Sequence, residues 1–413
     1  MTFDVEAVRA QFPALSLSDN GKPRVYLDGP AGTQVPQCVI DAMTDCMIGA
    51  NANLGGDFVT SIGAQNAVDS ARQAMADLLG APDPDSIVLG ANMTSLTKQI
   101  SQAICSTLTP GETIILSRMD HDANVSPWLD MAKQYGLEVK WLDIDPQTFQ
   151  LNLSMLEHDL KAGAKVVAVG YASNVLGTIN PVEEICALAR KYGALSYVDA
   201  VHYAPHGSID VMQIGCDLLV CSVYKFFGPH CSGMYIRPDI LSDLPAHPLR
   251  PAPQTGPVKY ESGTMNHEGI AGSAAAIDYI ASLGRSDASS TRRASLVEAF
   301  KQISDYETEL CWQLIDGLTD IAGVHVQGIT NPAAASRRAP TVSFTHDQKK
   351  PQEIAAALSQ ENIFSWAGHS YAIEPLGQLG LLETGGVLRL GIAHYNTGAE
   401  IDRTLDVLKG FLA

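Results

Sequence analysis

The 413-residue sequence predicts an α/β protein, with a large domain built on a mostly parallel sheet and a second, smaller α+β domain. Two observations carry this. Through the middle of the chain, short apolar runs alternate with amphipathic segments at the spacing of strand–helix–strand units. After about residue 285 that alternation gives way to one long helical stretch followed by a mixed region. The expected division is a large domain over 25–285 and a small domain made of 1–24 and 286–413.

In chain order, the strand candidates of the large domain are "ETIILSR" (112–118), "EVKWLDI" (138–144), "AKVVAVGYAS" (164–173), "ALSYVDAV" (194–201), "CDLLVCSV" (216–223) and "SGMYIRP" (232–238). Between them lie helical segments such as "SPWLDMAKQYG" (126–136) and "PVEEICALARKYG" (181–193). From 235 to 260 the chain is proline-rich and irregular, which reads as a surface excursion. The long helix "RRASLVEAFKQISDYETELCWQLIDGL" then leads to "APTVSFTH", "IFSWAGH" and "VLRLGIAHYN" in the smaller domain.

Composition excludes several classes. Hydrophobic residues make up 46%, charged 17% and aromatic 7%, as in an ordinary globular chain. A formal charge of −18 argues against nucleic acid or an anionic membrane as partner. The start, "MTFDVEAVRAQFPAL", has neither the basic nor the apolar segment of a secretory signal. No run approaches the roughly 18 apolar residues of a membrane span. The eight cysteines are scattered with no C-x-x-C pair, so neither a disulfide scaffold nor a metal site is expected. A reduced, cytoplasmic setting fits that usage.

In a parallel sheet, ligands bind at the carboxyl ends of the strands, and the predicted ends here are polar. They read Asp120-His121-Asp122, Ser173-Asn174, Asp199-Ala200-Val201-His202 and Ser222-Val223-Tyr224-Lys225. Any one of these could be an ordinary polar strand end, and His202 alone could be a hydrogen-bonded core histidine. The lysine asks for more. It stands between an apolar strand and Phe226-Phe227, and desolvation there favours a neutral amine. Such an amine is a nucleophile that forms a Schiff base with an aldehyde.

The aldehyde cofactor for which this matters most is pyridoxal 5′-phosphate (PLP). It needs a carboxylate at its pyridine nitrogen, for which Asp199 is the candidate. A flat group such as His121 can cover its ring. Its phosphate needs a helix start and hydroxyls, which Asn92, Met93 and Thr94 in "LGANMTSLTKQI", with Ser222 and Tyr224, supply.

With these residues in place, the chain resembles the PLP-dependent class V aminotransferase family on its cysteine desulfurase/selenocysteine lyase branch, from near residue 25 to the C-terminus. "YLDGPAGTQVPQCVIDAM" resembles the family's opening substrate loop, which implies a substrate contact at Ala31. "MDHDANVSPW" resembles the element whose histidine, here His121, stacks on the cofactor ring. "SNVLGTINPV" implies that Asn174 lies near both cofactor and substrate, and "VDAVHYAPH" that Asp199 and His202 face the pyridine nitrogen and the ring hydroxyl. "SVYKFFGPHCSG" resembles the lysine segment, with Tyr224 where desulfurases often carry a phosphate-binding histidine. "YESGTMN" implies that Thr264 reaches the phosphate of a neighbouring subunit, hence a homodimer with shared active sites. "VLRLGIAHYNT" implies that Arg389 clamps the α-carboxylate of an amino acid. The fold implied is fold-type I, a three-layer α/β/α large domain with a mainly parallel seven-stranded sheet and a smaller α+β C-terminal domain.

One stretch departs from the family. Persulfide-forming members carry R-x-G-H-H-C-A, where this chain has "FSWAGHSYAIEPL". Gly368 and His369 align, the latter as a substrate-side residue. Trp366 takes the arginine position and Tyr371 the cysteine position, and no cysteine follows Cys311. A phenol cannot accept sulfur as a thiolate does. Tyr371 is then an acid, a specificity residue or a filler of vacated volume. The resemblance leaves Lys225 to take the Cα proton of an amino acid. Elimination of a β-substituent in the manner of a C–S lyase is expected first, with transamination, epimerisation and a catalytically degenerate binding protein as alternatives. A dinucleotide-binding dehydrogenase would need G-x-G-x-x-G after a first strand, which "LGG" (54–56) and "LGA" (89–91) do not supply.

Overall fold

The computed structural model describes residues 3–285 and 289–413. The expected domain boundary at 285/286 therefore falls beside residues 286–288, which lie outside the described residues. Val25–Tyr26 (β1) is followed by helices Gln37–Gly49 (α1) and Val59–Leu79 (α2). Next come Ile87–Gly90 (β2), Met93–Cys105 (α3), Thr113–Ser117 (β3), Ser126–Tyr135 (α4), Glu138–Leu142 (β4) and Leu153–Lys161 (α5). Val166–Gly170 (β5), Val182–Lys191 (α6), Leu195–Asp199 (β6), Leu218–Ser222 (β7), Ser232–Ile236 (β8) and His267–Gly284 (α7) complete this part.

Seven strands form one sheet in the order β2-β8-β7-β6-β5-β3-β4. All neighbours are parallel except around β8, which runs antiparallel to both β7 and β2. Every strand expected from sequence is there, with β2 completing the seven. The apolar runs are continuous because both faces are covered. In β7, Leu218 and Val220 face the core shared with α3 and α4, whereas Leu219 and Cys221 face the core shared with α2, α6 and α7. This is the three-layer α/β/α arrangement of fold-type I.

The C-terminal part begins with Arg292–Thr319 (α8), then Val324–Gln327 (β9), Thr341–His346 (β10), Pro351–Gln360 (α9), Ile363–Phe364 (β11), Trp366–Gly368 (β12), Val387–Gly391 (β13) and Gly398–Leu412 (α10). Strands β9-β10-β13-β12 form an antiparallel sheet with its own core, in which Leu314, Phe344, Leu390 and Leu405 meet. The N-terminal segment is divided between the two cores. Val8, Phe12 and Leu15 pack into the core of the larger sheet, whereas Val25 and Leu27 join the smaller one, with β1 pairing in parallel with β11.

Candidate active site

Strands β2, β3, β5, β6 and β7 bring their carboxyl ends to one edge of the large sheet. The smaller sheet closes over that edge with Arg389 on β13 and the turn after β12. Between them lies a cavity of about 590 Å³ bordered by Lys225, Asp199, His121, His202, Asn174, Tyr224, Met93, Ala31, Tyr371 and Arg389.

Lys225 is held in place by its two aromatic successors. Phe226 and Phe227 are fully buried. Phe227 sits in the left-handed region (φ 70°), an uncommon position for a bulky residue. Its N–H donates to Thr33 Oγ1 at 2.7 Å, and its ring packs edge-on against Phe12 and Tyr279. The aromatic pair thus fixes the turn that aims the lysine into the cavity. Nζ donates to the carbonyl of Pro30 and lies 4.8 Å from the Tyr224 ring centroid. Burial, then repulsion from Arg389, lowers its pKa to about 7, with Asp199 opposing. A large part of the amine is therefore neutral near pH 7.

Asp199, at the end of β6, accepts the Val201 N–H at 2.9 Å through Oδ1. Burial pushes its pKa up to about 6, against that hydrogen bond and Lys225. Behind it stands Asp120, a second buried carboxyl group that accepts the Gly170 N–H at 2.7 Å and the Asn124 side-chain amide at 2.6 Å. Trp128 Nε1 donates in turn to Asn124 Oδ1 at 3.1 Å. Gly170 is paired in register with Asp199, and a Cβ on it would lie 3.0 Å from Asp120 Oδ1. Burial raises Asp120 to about 8, with Asp199 adding to the effect. This belt fixes the loop that carries His121.

His121 Nδ1 accepts the Ala123 N–H at 3.0 Å, which leaves Nε2 as the protonated nitrogen of a neutral ring. Burial, with Lys225 and Arg389, lowers its pKa to about 4. His202 pairs through Nε2 with Thr341 Oγ1 at 2.9 Å. Burial holds it well below the usual histidine range, with the charges of His206, Arg389 and Lys225 adding to the effect. Arg389 donates to the Asn174 carbonyl at 3.0 Å, and burial lowers it to about 10. The Asn174 amide donates to the Ser370 carbonyl at 2.9 Å, while its buried Oδ1 has no hydrogen-bond partner.

At the start of α3, two of the expected residues have local duties. Asn92 caps the helix by accepting the Ser95 N–H at 2.9 Å, and Ser222 Oγ accepts the Met93 N–H at 3.1 Å. Met93 and Thr94 border the cavity, but Asn92 and Ser222 do not. Thr264 and His369 are both exposed and neither lines the cavity; the imidazole of His369 braces the turn instead, its Nδ1 accepting the Tyr371 N–H at 3.0 Å. Sequence reasoning missed the Pro30 carbonyl, the Ser370 carbonyl and Thr341. Two are backbone atoms without a side-chain signal, and Thr341 lies within a strand that reads as plain β.

The donor set fits a phosphorylated pyridine aldehyde. A largely neutral amine, a buried carboxyl group one strand away, an uncharged imidazole, the Asn174 side chain with its unpartnered amide oxygen and a helix start all border one volume. No metal-binding group of three or more His, Cys, Asp or Glu occurs among the described residues.

Residues 25–404 match the family model described as Aminotransferase class-V. A relative described as "Probable cysteine desulfurase" from Mycolicibacterium paratuberculosis is 33% identical over 97% of this chain, which spans 57% of that protein's length. A "Cysteine desulfurase" from Pectobacterium atrosepticum is 30% identical, covering 98% of this chain and 97% of the relative. Among solved structures, the apo cysteine desulfurase of Thermococcus onnurineus NA1 superposes with a TM-score of 0.87 at 26% identity, covering 100% of this chain and 98% of that one. With that match laid over this lysine, carboxylate and histidine, the chain belongs to the class-V aminotransferase family, whose members are enzymes that work with PLP.

Proposed function

We propose that the enzyme acts at Cα of an amino acid and eliminates a sulfur-bearing β-substituent, without a persulfide on the protein. The observation that carries this reading is the cavity wall at 366–371. Trp366, Ser370 and Tyr371 line it, and no cysteine does among the described residues. Seven of the eight cysteines are buried elsewhere, and the exposed Cys38 lies outside the cavity.

PLP, when bound, supplies the electron sink that makes the Cα–H bond acidic. Lys225, Asp199, His121, His202 and Asn174 would hold it, with Met93 and Thr94 in the first turn of α3 and Tyr224 on the phosphate side. Arg389 binds the substrate α-carboxylate by charge-assisted hydrogen bonds, and Ala31 borders the same cavity. Lys225 Nζ, neutral near pH 7, takes the Cα proton. The Cβ–S bond breaks with its electron pair on sulfur, and the thiolate leaves as a thiol after taking a proton. Water then hydrolyses the released enamine to a 2-oxo acid and ammonium.

The same reading places two domains around the cavity and two chains in the working enzyme. Met47 and Ile48 at the end of α1, and Phe58, Val59 and Ile62 at the start of α2, are exposed apolar side chains, with Ile48 79% and Val59 80% exposed. Exposed apolar side chains of this kind suit a subunit contact, and Thr264 stands exposed on a loop outside its own cavity. Shared sites predict that inactive Lys225→Ala and Thr264→Ala subunits regain activity when mixed. No helix among the described residues is long and apolar enough to cross a membrane.

The deciding experiment incubates the PLP-loaded protein with L-cysteine and S-substituted cysteines. Elimination gives 2-oxo acid, ammonium and free thiol in equal amounts with no amino acceptor added. Turnover only in the presence of an added 2-oxo acid, or a protein-bound persulfide trapped by alkylation, would replace this reading.

A further inference from the structure

Two aromatic side chains stand open at the wall of the cavity. Of the four tryptophans only Trp366 is exposed, at 52%, and Tyr371 is 64% exposed. Both border the cavity, together with Ala123 and Pro127. Trp366 is paired in register with Arg389 across β12 and β13. Directly opposed residues of an antiparallel pair put their side chains on the same face of the sheet, with Cβ atoms about 4.5–5.5 Å apart. The indole therefore stands beside the guanidinium on the cavity face. The Tyr371 ring lies on His121 instead, with 5.4 Å between centroids. One ring thus flanks the candidate carboxylate clamp, and the other flanks the imidazole on the cofactor side.

Neither ring is loosely placed. Trp366 opens an edge strand of the C-terminal sheet. The turn carrying Tyr371 is tied across the seam through the Ser370 and Tyr371 carbonyls, to Asn174 Nδ2 at 2.9 Å and the Asp122 N–H at 2.8 Å. Just beyond it, Glu374 pairs with Arg118, and the Gln378 side chain makes two 3.0 Å bonds to the Ile144 backbone. Core packing does not account for the rings, because each leaves more than half of its surface uncovered. Rings held rigidly at a cavity wall are surface that a ligand can cover at little cost in ordering. We propose that Trp366 and Tyr371 form the subsite for the substrate's β-substituent, and that they select amino acids whose sulfur carries an aromatic or large apolar group. This rests on the reading of the cavity as an amino acid site.

The four bonds of Cα give the reason. On that reading the carboxylate goes to Arg389, the proton to Lys225 and the nitrogen to the cofactor, so the β-substituent takes the direction that is left. A charged substituent is the poorer fit there. A cation meets Arg389 and Lys225, and an anion competes with the α-carboxylate for Arg389. Asp122 also borders the cavity, but its carboxylate accepts the Ser126 hydroxyl at 2.7 Å. Lys98, exposed on α3, is a further cation on the border, and a preference for an anionic substituent would point to it in place of the rings.

The deamino analogues of S-benzyl- and S-methyl-cysteine test the subsite in the PLP-loaded protein without turnover. Calorimetry should find the benzyl acid bound about 10-fold or more tighter than the methyl acid. Trp366→Ala should cut that preference to about 2- to 3-fold, and Trp366→Phe should restore most of it. In turnover, the ratio of kcat/KM for S-benzyl-L-cysteine over S-methyl-L-cysteine should fall by the same factor in Trp366→Ala. Equal affinity for the two acids, a preference that Trp366→Ala leaves unmoved, or tighter binding of the S-carboxymethyl analogue overturns the proposal. Elimination failing for every cysteine while the binding preference stands would overturn the proposed reaction and support the subsite, since the acids bind without reacting.

Discussion

The phenol ring of Tyr371 lies on the imidazole of His121, with centroids 5.4 Å and planes 26° apart. The turn that puts it there is strained, because Ser370 (φ 49°) and Tyr371 (φ 56°) both adopt the left-handed region. Each such residue costs about 1 kcal/mol or more. The strain is offset by two hydrogen bonds across the seam, Asn174 Nδ2 to the Ser370 carbonyl at 2.9 Å and Asp122 N–H to the Tyr371 carbonyl at 2.8 Å. The turn thereby lays a second ring over the imidazole of His121 at the cavity wall.

That arrangement separates the ring of Tyr371 from its hydroxyl. An aromatic pair contributes about 0.5–1.5 kcal/mol beyond its burial. Tyr371→Phe should therefore bind PLP as the unaltered protein does, and Tyr371→Ala should bind it about 2- to 10-fold more weakly. Fluorescence titration of the cofactor-free protein measures both. Equal affinity in all three proteins would show that the stack does not support His121.

Lys225 predicts a pH dependence with a defined sign. Its folded pKa is about 7, against about 10.4 for an unperturbed lysine. Between those values the unfolded chain binds more protons than the folded one. Stability of the cofactor-free protein should thus rise with pH from about 7 to about 10. Lys225→Met should lose this rise, which denaturant unfolding at several pH values would detect. The rate of PLP condensation should climb through pH 7 and level off, and a climb continuing past pH 9 contradicts the low pKa. Asp199→Asn, by removing the charge that raises Lys225, should move the inflection to lower pH.

Arg389 is buried, and its Asn174 partner is a neutral carbonyl rather than a carboxylate. Asp28 is a carboxyl group acting on it through space, but burial pushes Asp28 toward its neutral form, which leaves the guanidinium charge for an incoming anion. A hydrogen bond to a charged group contributes about 1.5–3 kcal/mol, so Arg389→Gln should raise KM for amino acids about 10- to 100-fold. The visible band of bound PLP should persist if, as proposed, Arg389 serves the substrate carboxylate and not the cofactor. An unchanged KM would place the carboxylate elsewhere.

Much of the site was legible in the sequence, and the reason is topological. A parallel sheet puts every strand end on one edge, so Asp120-His121, Asn174, Asp199 and Lys225 converge once the strands are recognised. Side-chain direction was less legible. Asn92 and Ser222 lie in the right place, but the helix start consumes their hydrogen bonds. The approach of the second sheet could not be read at all. Thr341 against His202, and Glu307 against His206, join residues 139 and 101 positions apart, and no local pattern marks either pair.

The element "YESGTMN" illustrates how a motif residue can be structural. Glu261 forms a two-pronged pair with Arg72 of α2, at 2.7 and 2.9 Å, and accepts the Leu89 N–H of β2 at 2.8 Å. Its side chain is 1% exposed and that of Arg72 9%. Removing one partner leaves a buried guanidinium uncompensated, which typically costs about 3–5 kcal/mol. Glu261→Ala should therefore lower the unfolding free energy by about that amount, and it should free the loop that carries Thr264. The double variant Arg72→Leu/Glu261→Leu should recover most of the stability, because the lone charge is gone and the volume is filled. If the single and double variants unfold at the same denaturant concentration, the cost comes from lost packing and the ion pair is not what holds the loop.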